Sequence, residues 1–276
     1  MAAELATPLN AADLAIAIQT QILCVGPLGS GKSTQFTTLP GKKFMYCFDP
    51  NATDVYRGLD IDYLPFLPDI TDVDISAKTL KSKDKQTKID TSSLGKLEPK
   101  TYLNWERDFE QRVAQGFFAP YDWLGFDSFT TFQEIVMDRI QFLNGRLGKH
   151  PEQADWTAEM NVMRNIFRVA NSSCNVFCTA HTEIFKDDFT GRVHGKIMMT
   201  GKNRVRIPLM FAHIFATYAD VSTKGGATFM VKTIPDREAP VVRTSLKGLA
   251  ATEDVTIDRT RSPVGQGIGK WFPHTK

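Results

Sequence analysis

Short unbroken apolar runs alternate along the chain with stretches whose apolar residues recur at helical spacing. Gln21-Ile22-Leu23-Cys24-Val25 is apolar and rich in strand formers, which predicts a buried strand. The run 42–51, KKFMYCFDPN, predicts a second buried strand stopped at Asp49-Pro50, and 61–67 a third. YDWLGFDSF (121–129) and NVFCTAH (175–181) predict two more. Residues 182–210 have the look of basic hairpins, and 213–220, 227–234 and 240–244 of further strands. Helical patterning covers a short piece from Lys32 to near Pro40-Gly41 and a turn or two in ATDVYRGL. It continues over 101–118, about 130–145, and 157–173 after the loop HPEQADW. In 101–118 the spacing puts Leu103, Phe109, Val113 and Phe117 near one face. Strands alternating with helices predict an α/β fold with a mostly parallel sheet, its active edge at the strand C-termini.

Composition adds boundaries to this pattern. A chain of 276 residues holds one large α/β domain or two small ones. An alanine-rich arm (1–15) and a polar, glycine-bearing tail (250–276, expected to be flexible) flank a domain over 16–249. Within it, 69–100 is rich in Asp, Lys, Ser and Thr and is expected to be a mobile insertion or exposed loop. The net charge of +2 makes no whole-chain case for nucleic acid, so any such case must come from local patches. Cys24, Cys47, Cys174 and Cys178 all lie in apolar runs and are expected to be small core residues in a reducing compartment. No apolar run is long enough to span a bilayer, and the first twenty residues lack a signal-type core. The cytoplasm is the expected location, that of a bacterial host if a phage encodes the protein.

The chemistry concentrates in CVGPLGSGKST. Gly26, Pro27, Leu28, Gly29, Ser30, Gly31, Lys32, Ser33 and Thr34 follow the phosphate-loop order G-x-x-x-x-G-K-S/T between a strand and a helix. Glycines let successive backbone N–H groups face a phosphate, and the helix N-terminus adds its positive end. Lys32 is placed to reach the β- and γ-phosphates of a nucleoside triphosphate, and the Ser33 hydroxyl to join the shell of a Mg²⁺ ion. Such a loop needs a carboxylate at the end of another strand. DWLGFDSF supplies Asp127, with Asp122 a weaker candidate because it precedes the apolar run. VFCTAH ends in His181, a side chain able to bond a γ-phosphate and respond to its loss.

A basic segment follows. Lys186, Arg192, Lys196, Lys202, Arg204 and Arg206 come with Asp187 and Asp188 as the acids between them. They are candidates to meet the phosphates of DNA or of a neighbour's nucleotide, with Lys202 and Arg204 as candidate fingers acting in trans. Phe185 and Phe189 are candidates to stack bases, and Trp271-Phe272 is a candidate partner-docking pair.

In order and spacing, GPLGSGKST, FMYCFDPN, WLGFDSF and VFCTAH resemble the core ATPase domain of the RecA superfamily. More narrowly they resemble phage-encoded nucleotide-binding proteins of the Sak-type single-strand annealing group, as does MMTGKNRVRIPLMFAHIFATY. The resemblance covers about 20–245. It implies a RecA-like P-loop NTPase core with flanking helices and C-terminal β-hairpins, binding of ATP and Mg²⁺, and a homo-oligomer, ring or filament. It also implies a role on single-stranded DNA in recombination, alongside a single-strand-binding protein. Two departures stand out. Where RecA-type ATPases carry a glutamate two residues beyond the second strand's aspartate, this chain has Asn51, which orients a water but accepts no proton. Asp49 or Glu183 is then the candidate base. His181 stands where RecA has glutamine, which adds a pH dependence. The leading expectation is an ATP-dependent protein of annealing or strand exchange with slow hydrolysis. The rivals are a DNA motor of helicase or terminase type and a nucleotide-gated replication adaptor or loader.

Overall fold

The computed structural model describes residues 19–50, 52–67, 98–186, 188, 191, 193–221 and 226–273. The arm 1–15, Asn51, most of the expected insertion, Asp187, Phe189 and Arg192 lie outside the described residues. The first half runs β1 (Gln21–Gly26), α1 (Lys32–Thr38), β2 (Lys43–Cys47), a 3₁₀ turn (Ala52–Tyr56), β3 (Asp62–Pro65), α2 (Thr101–Ala114), β4 (Trp123–Asp127) and α3 (Phe129–Leu143). Then come α4 (Gln153–Asn171), β5 (Asn175–Lys186), β6 (Val193–Ile197), α5 (Asn203–Arg206), β7 (His213–Val221), β8 (Ala227–Lys232) and β9 (Thr252–Asp254). Short 3₁₀ turns sit at Pro208–Met210 and Gly267–Trp271.

The strands form one sheet in the order β3-β2-β4-β5-β1-β7-β8-β9, with β6 paired to the outer end of β5. From β3 to β7 every pairing is parallel, and the β7–β8, β8–β9 and β5–β6 pairings are antiparallel. Both faces are covered, which is why the central strands read as unbroken apolar runs. Leu23, Val25, Val176 and Cys178 pack into the cluster under α2, α3 and α4. Their neighbours Ile22, Cys24 and Phe177 point the other way, toward Phe36 of α1 and Ile268. The cysteines are all free and buried, as the apolar runs predicted.

Three local readings change. On α2 the buried face is Tyr102, Trp105 and Phe109, with Leu103 and Val113 only half-buried. Trp105 stacks on Phe109 at 5.1 Å and meets Phe132 of α3 edge-on at 4.6 Å, so aromatic packing sets the rotation of the helix. Over 240–244 no strand forms beyond an isolated bridge between Ile214 and Arg243. There the Arg243 guanidinium donates to the carbonyls of Pro208, Leu209 and Phe211 instead, tying the chain down sideways.

The stretch from 250, expected as a flexible tail, returns to the body through β9 and its 3₁₀ turn. Gln35 on α1 accepts from Ile268 N at 3.0 Å and donates to Val255 O at 3.2 Å, while Gly269 N donates to Thr38 Oγ1 at 2.9 Å. Ile268 is fully buried, and Trp271 and Phe272 pack against Phe215 and Trp123. The aromatic pair read as a docking peptide thus docks on its own chain. Ile268→Ala is expected to cost about 2–5 kcal/mol by the cavity it leaves, measured as a shift in denaturant midpoint.

Between α4 and α5, Glu159 is buried and accepts from Thr200 Oγ1 at 3.1 Å and Asn203 Nδ2 at 3.0 Å. Burial pushes its carboxyl up to about 8, only partly offset by the bond from Thr200. The folded state therefore holds a proton there that the unfolded chain has already lost. Stability is expected to fall as pH rises from about 4.5 to about 8, and Glu159→Gln to flatten that slope in melts run across the same window.

Candidate nucleotide site

β1 delivers the glycine loop to the C-terminal edge of the sheet. Gly26 lies against β7 so closely that a Cβ there would meet Thr217 O at 2.4 Å. Ser30 Oγ and Thr217 Oγ1, 2.8 Å apart, fasten the loop to the same strand. Gly31 caps α1 with φ at +85°, a left-handed conformation that other residues adopt at a cost. The loop tip, Pro27, Leu28 and Gly29, is exposed. The Lys32 amine curls back over the loop and donates to Gly26 O at 3.0 Å and Pro27 O at 2.7 Å. Burial lowers its pKa, and the carboxylates of Asp127 and Asp49 pull it back up.

The parallel register collects the rest. Gly26 is level with His181 across β1–β5, and Cys47 with Asp127 across β2–β4. Asp127 is 2% exposed and accepts from Thr179 Oγ1 and from Tyr56 OH at 3.0 Å. Burial raises its pKa, against bonds from Thr179, Ser33 and Tyr56 that lower it. Asp49 accepts from His181 Nε2 at 3.0 Å, from Ser128 Oγ at 2.9 Å and from Thr131 Oγ1. Burial alone would raise the Asp49 pKa, but the bonds from His181, Thr131 and Ser128 win and the net direction is down. A carboxylate so held stays ionised and aimed.

These groups line a cavity of about 620 Å³ with Leu28, Gly29, Gly31, Lys32, Ser33, Thr34, Asp49, Asp127 and His181 on its walls. Pro50, Ala52, Val55, Phe229 and Arg259 complete it. That is the size of a small-ligand site. The donors grouped at its inner end, the Ser33 hydroxyl and the Asp127 carboxylate, are hard oxygens, which suits Mg²⁺. Of the residues that sequence reading reached, Leu28, Gly29, Gly31 to Thr34, Asp49, Asp127 and His181 line this cavity, while Gly26, Pro27 and Ser30 do not. It missed Thr179, Tyr56, Ser128 and Thr131. Ser128 carried a signal, since it caps α3 by accepting from Thr131 N at 3.4 Å, a pattern readable as serine before a helix. The others are brought in by folding alone.

β5 lies between β1 and β4, so the loop strand and the Asp127 strand are separated by the strand that carries Thr179 and His181. The core is an α/β sheet, parallel from β3 to β7, with the phosphate loop at the C-terminal end of β1. No protein-family description and no curated protein matches the sequence. Among solved structures, the chain is similar to flagellar accessory protein FlaH from Methanocaldococcus jannaschii. The identity is 11% and the TM-score 0.43, over 87% of this chain and 85% of that chain. It is also similar to a KaiC-like protein from Pyrococcus horikoshii, at 12% identity and a TM-score of 0.43 over 87% and 86%.

The basic residues lie elsewhere on the fold. Lys186 and Lys196 are on the β5–β6 hairpin, and Lys202, Arg204 and Arg206 are exposed at and beside α5. None of them lines the phosphate-loop cavity. Glu183 is also outside it, exposed on β5 opposite Lys196. The Phe185 ring is covered within its own chain, by the Lys196 amine at 3.6 Å from its centroid and by the stacked His194 ring at 5.6 Å. That occupancy displaces the base-stacking reading of Phe185. Among the described residues no helix is long and apolar enough to cross a membrane, and no group of three or more His, Cys, Asp or Glu side chains is placed to hold a metal ion.

Proposed function

We propose that this protein binds ATP with Mg²⁺ through its RecA-like core and uses the nucleotide's state to control its hold on single-stranded DNA. The biological setting we propose is recombination of the annealing or strand-exchange kind served by phage proteins of the Sak type. The observation that carries the reading is the course of β5. One strand holds Thr179 against Asp127, then His181 against Asp49, and then runs on as the arm of the basic hairpin. In this reading a change at the phosphates reaches Lys186 and Lys196 along that strand.

In this reading the loop amides and Lys32 hold the phosphates, and Ser33 and Asp127 hold the Mg²⁺, which neutralises phosphate charge when bound. Asp49 accepts the proton of the attacking water as the γ-phosphoryl bond breaks, and the leaving diphosphate stays on the loop. His181, which bonds Asp49, reports the loss of the γ-phosphate to β5. Lys202, Arg204 and Arg206 serve DNA or a neighbouring subunit's nucleotide within a homo-oligomer.

The test is binding of single-stranded DNA, titrated with salt, with and without Mg-ATP, alongside phosphate release. Affinity that rises with ATP and falls steeply with salt supports the reading. Binding absent at low salt, or indifferent to nucleotide, removes the DNA half. Brisk DNA-stimulated turnover with movement along the strand would instead make the protein a motor. Tight ATP binding without phosphate release, together with a retained protein partner, would make it an adaptor.

A further inference from the structure

The returning C-terminal segment does more than seal the back of α1. Phe229 of β8 and Arg259 line the phosphate-loop cavity beside Gly31 and Thr34. The same two side chains, with Val255 and Ile257, also enclose a smaller recess beside it. The Phe229 ring stands directly over the loop, since a Cβ on Gly31 would lie 3.0 Å from its Cδ1. Its backbone is pinned on both sides: Phe229 N donates to Thr256 Oγ1 at 2.8 Å, and Phe229 O accepts from Val255 N at 2.8 Å.

Arg259 is exposed and forms no ion pair among the described residues, whereas its neighbour Arg261 pairs with Asp258 at 3.2 Å. The loop that carries it is nonetheless built. The Gln266 amide accepts from Asp258 N at 2.8 Å and donates to Asp258 O at 3.1 Å and Ser262 O at 2.7 Å. Lys270 Nζ donates to Asp254 O at 2.8 Å, and Ile268 is buried against α1. An unpartnered guanidinium is therefore held at the rim of the cavity by a folded segment. The acids on the inner wall, Asp49 and Asp127, are engaged with hydroxyls and with His181. They leave Arg259 without a carboxylate to satisfy it.

We propose that Phe229 and Arg259 form the base-recognition wall of the site and that the ligand they select is a purine nucleoside triphosphate. The proposal rests on the nucleotide reading above and adds what holds the other end of the ligand. With the phosphates on the loop, the nucleoside extends past Thr34 toward these two side chains. An aromatic ring and a planar guanidinium offer flat surfaces that grip a base by stacking and by cation–π attraction. A purine presents more ring area to both than a pyrimidine does.

Titrations of the folded wild type, Arg259→Ala and Phe229→Leu with Mg-ATP, Mg-CTP and inorganic triphosphate test this, with thermal melts confirming that each variant is folded. In the wild type, ATP is expected to bind about tenfold or more tighter than triphosphate, and tighter than CTP. Each variant is expected to lose about tenfold in ATP affinity while its triphosphate affinity stays unchanged. Unchanged ATP affinity in both variants overturns the proposal. So does an equal loss for ATP and triphosphate, which would make Arg259 a phosphate contact, or equal wild-type affinity for ATP and CTP. A wild type that binds none of the three ligands sinks the nucleotide reading itself, so the two failures are distinguishable.

Discussion

Asp49→Asn is expected to lower ATP turnover by about 10²–10⁴-fold while leaving ATP affinity within a few-fold, since the change removes a proton acceptor and keeps the shape. The carboxylate sits one residue past the end of β2's apolar run, and bonds from His181, Ser128 and Thr131 keep it ionised. Asparagine in its place keeps the bonds from Ser128 and Thr131 on its one oxygen, while its amide nitrogen faces His181 and takes no proton. Steady-state phosphate release and equilibrium binding, measured on the same preparation, separate the two effects. If turnover survives the substitution, the base lies elsewhere and Asp49 only positions His181. The companion variant His181→Gln keeps a donor toward Asp49 and is expected to retain much more turnover than Asp49→Asn.

Lys32→Ala is expected to weaken Mg-ATP binding by about 10²-fold or more, through loss of charge-assisted bonds worth roughly 1.5–3 kcal/mol each. Before any ligand arrives, the amine is bonded to the carbonyls of Gly26 and Pro27, so it is already poised over the loop. Its burial makes it a poorly hydrated cation, which loses little further hydration when it meets a phosphate. The same burial gives a second consequence. Without Lys32, the buried Asp127 and the nearby Asp49 lose a cation that attracts both, and the Asp127 carboxyl is expected to take up a proton more readily. Titration calorimetry reads the first effect, and a melt followed across acidic pH reads the second. ATP affinity equal to that of the wild type would remove the loop from the nucleotide site.

The positions that sequence reading reached are those whose chemistry is local. A phosphate loop must follow a strand and open a helix within a few residues, so Gly26 to Thr34 declare themselves. Asp127 and His181 declared themselves in a similar way, as polar residues ending apolar runs, and the parallel register then brought both to the loop. The choice between Asp49 and Glu183 could not be made from spacing. Both lie at or beyond a strand's buried part, and only the pairing of β5 with β6 carries Glu183 out along the hairpin while Asp49 stays under His181.

What the sequence determined by itself is the strand-and-helix alternation, the buried cysteine-bearing strands and the phosphate loop, all set by periodicity or by bonds between near neighbours. Only the tertiary structure decided the rotation of α2, the hydroxyls around the two carboxylates and the fate of the last residues. Tyr56 meets Asp127 and Thr131 meets Asp49 across different elements, and no spacing rule encodes such contacts. The segment from 250 looked like a tail because its polar and glycine content is high and its apolar residues are scattered. It folds because Ile268 and Phe272 find an apolar surface that α1, β4 and β7 together create, and burying them outweighs the cost of ordering a short loop. Burial against distant partners is decided by the fold, and it is this burial that brings Arg259 to the rim of the site.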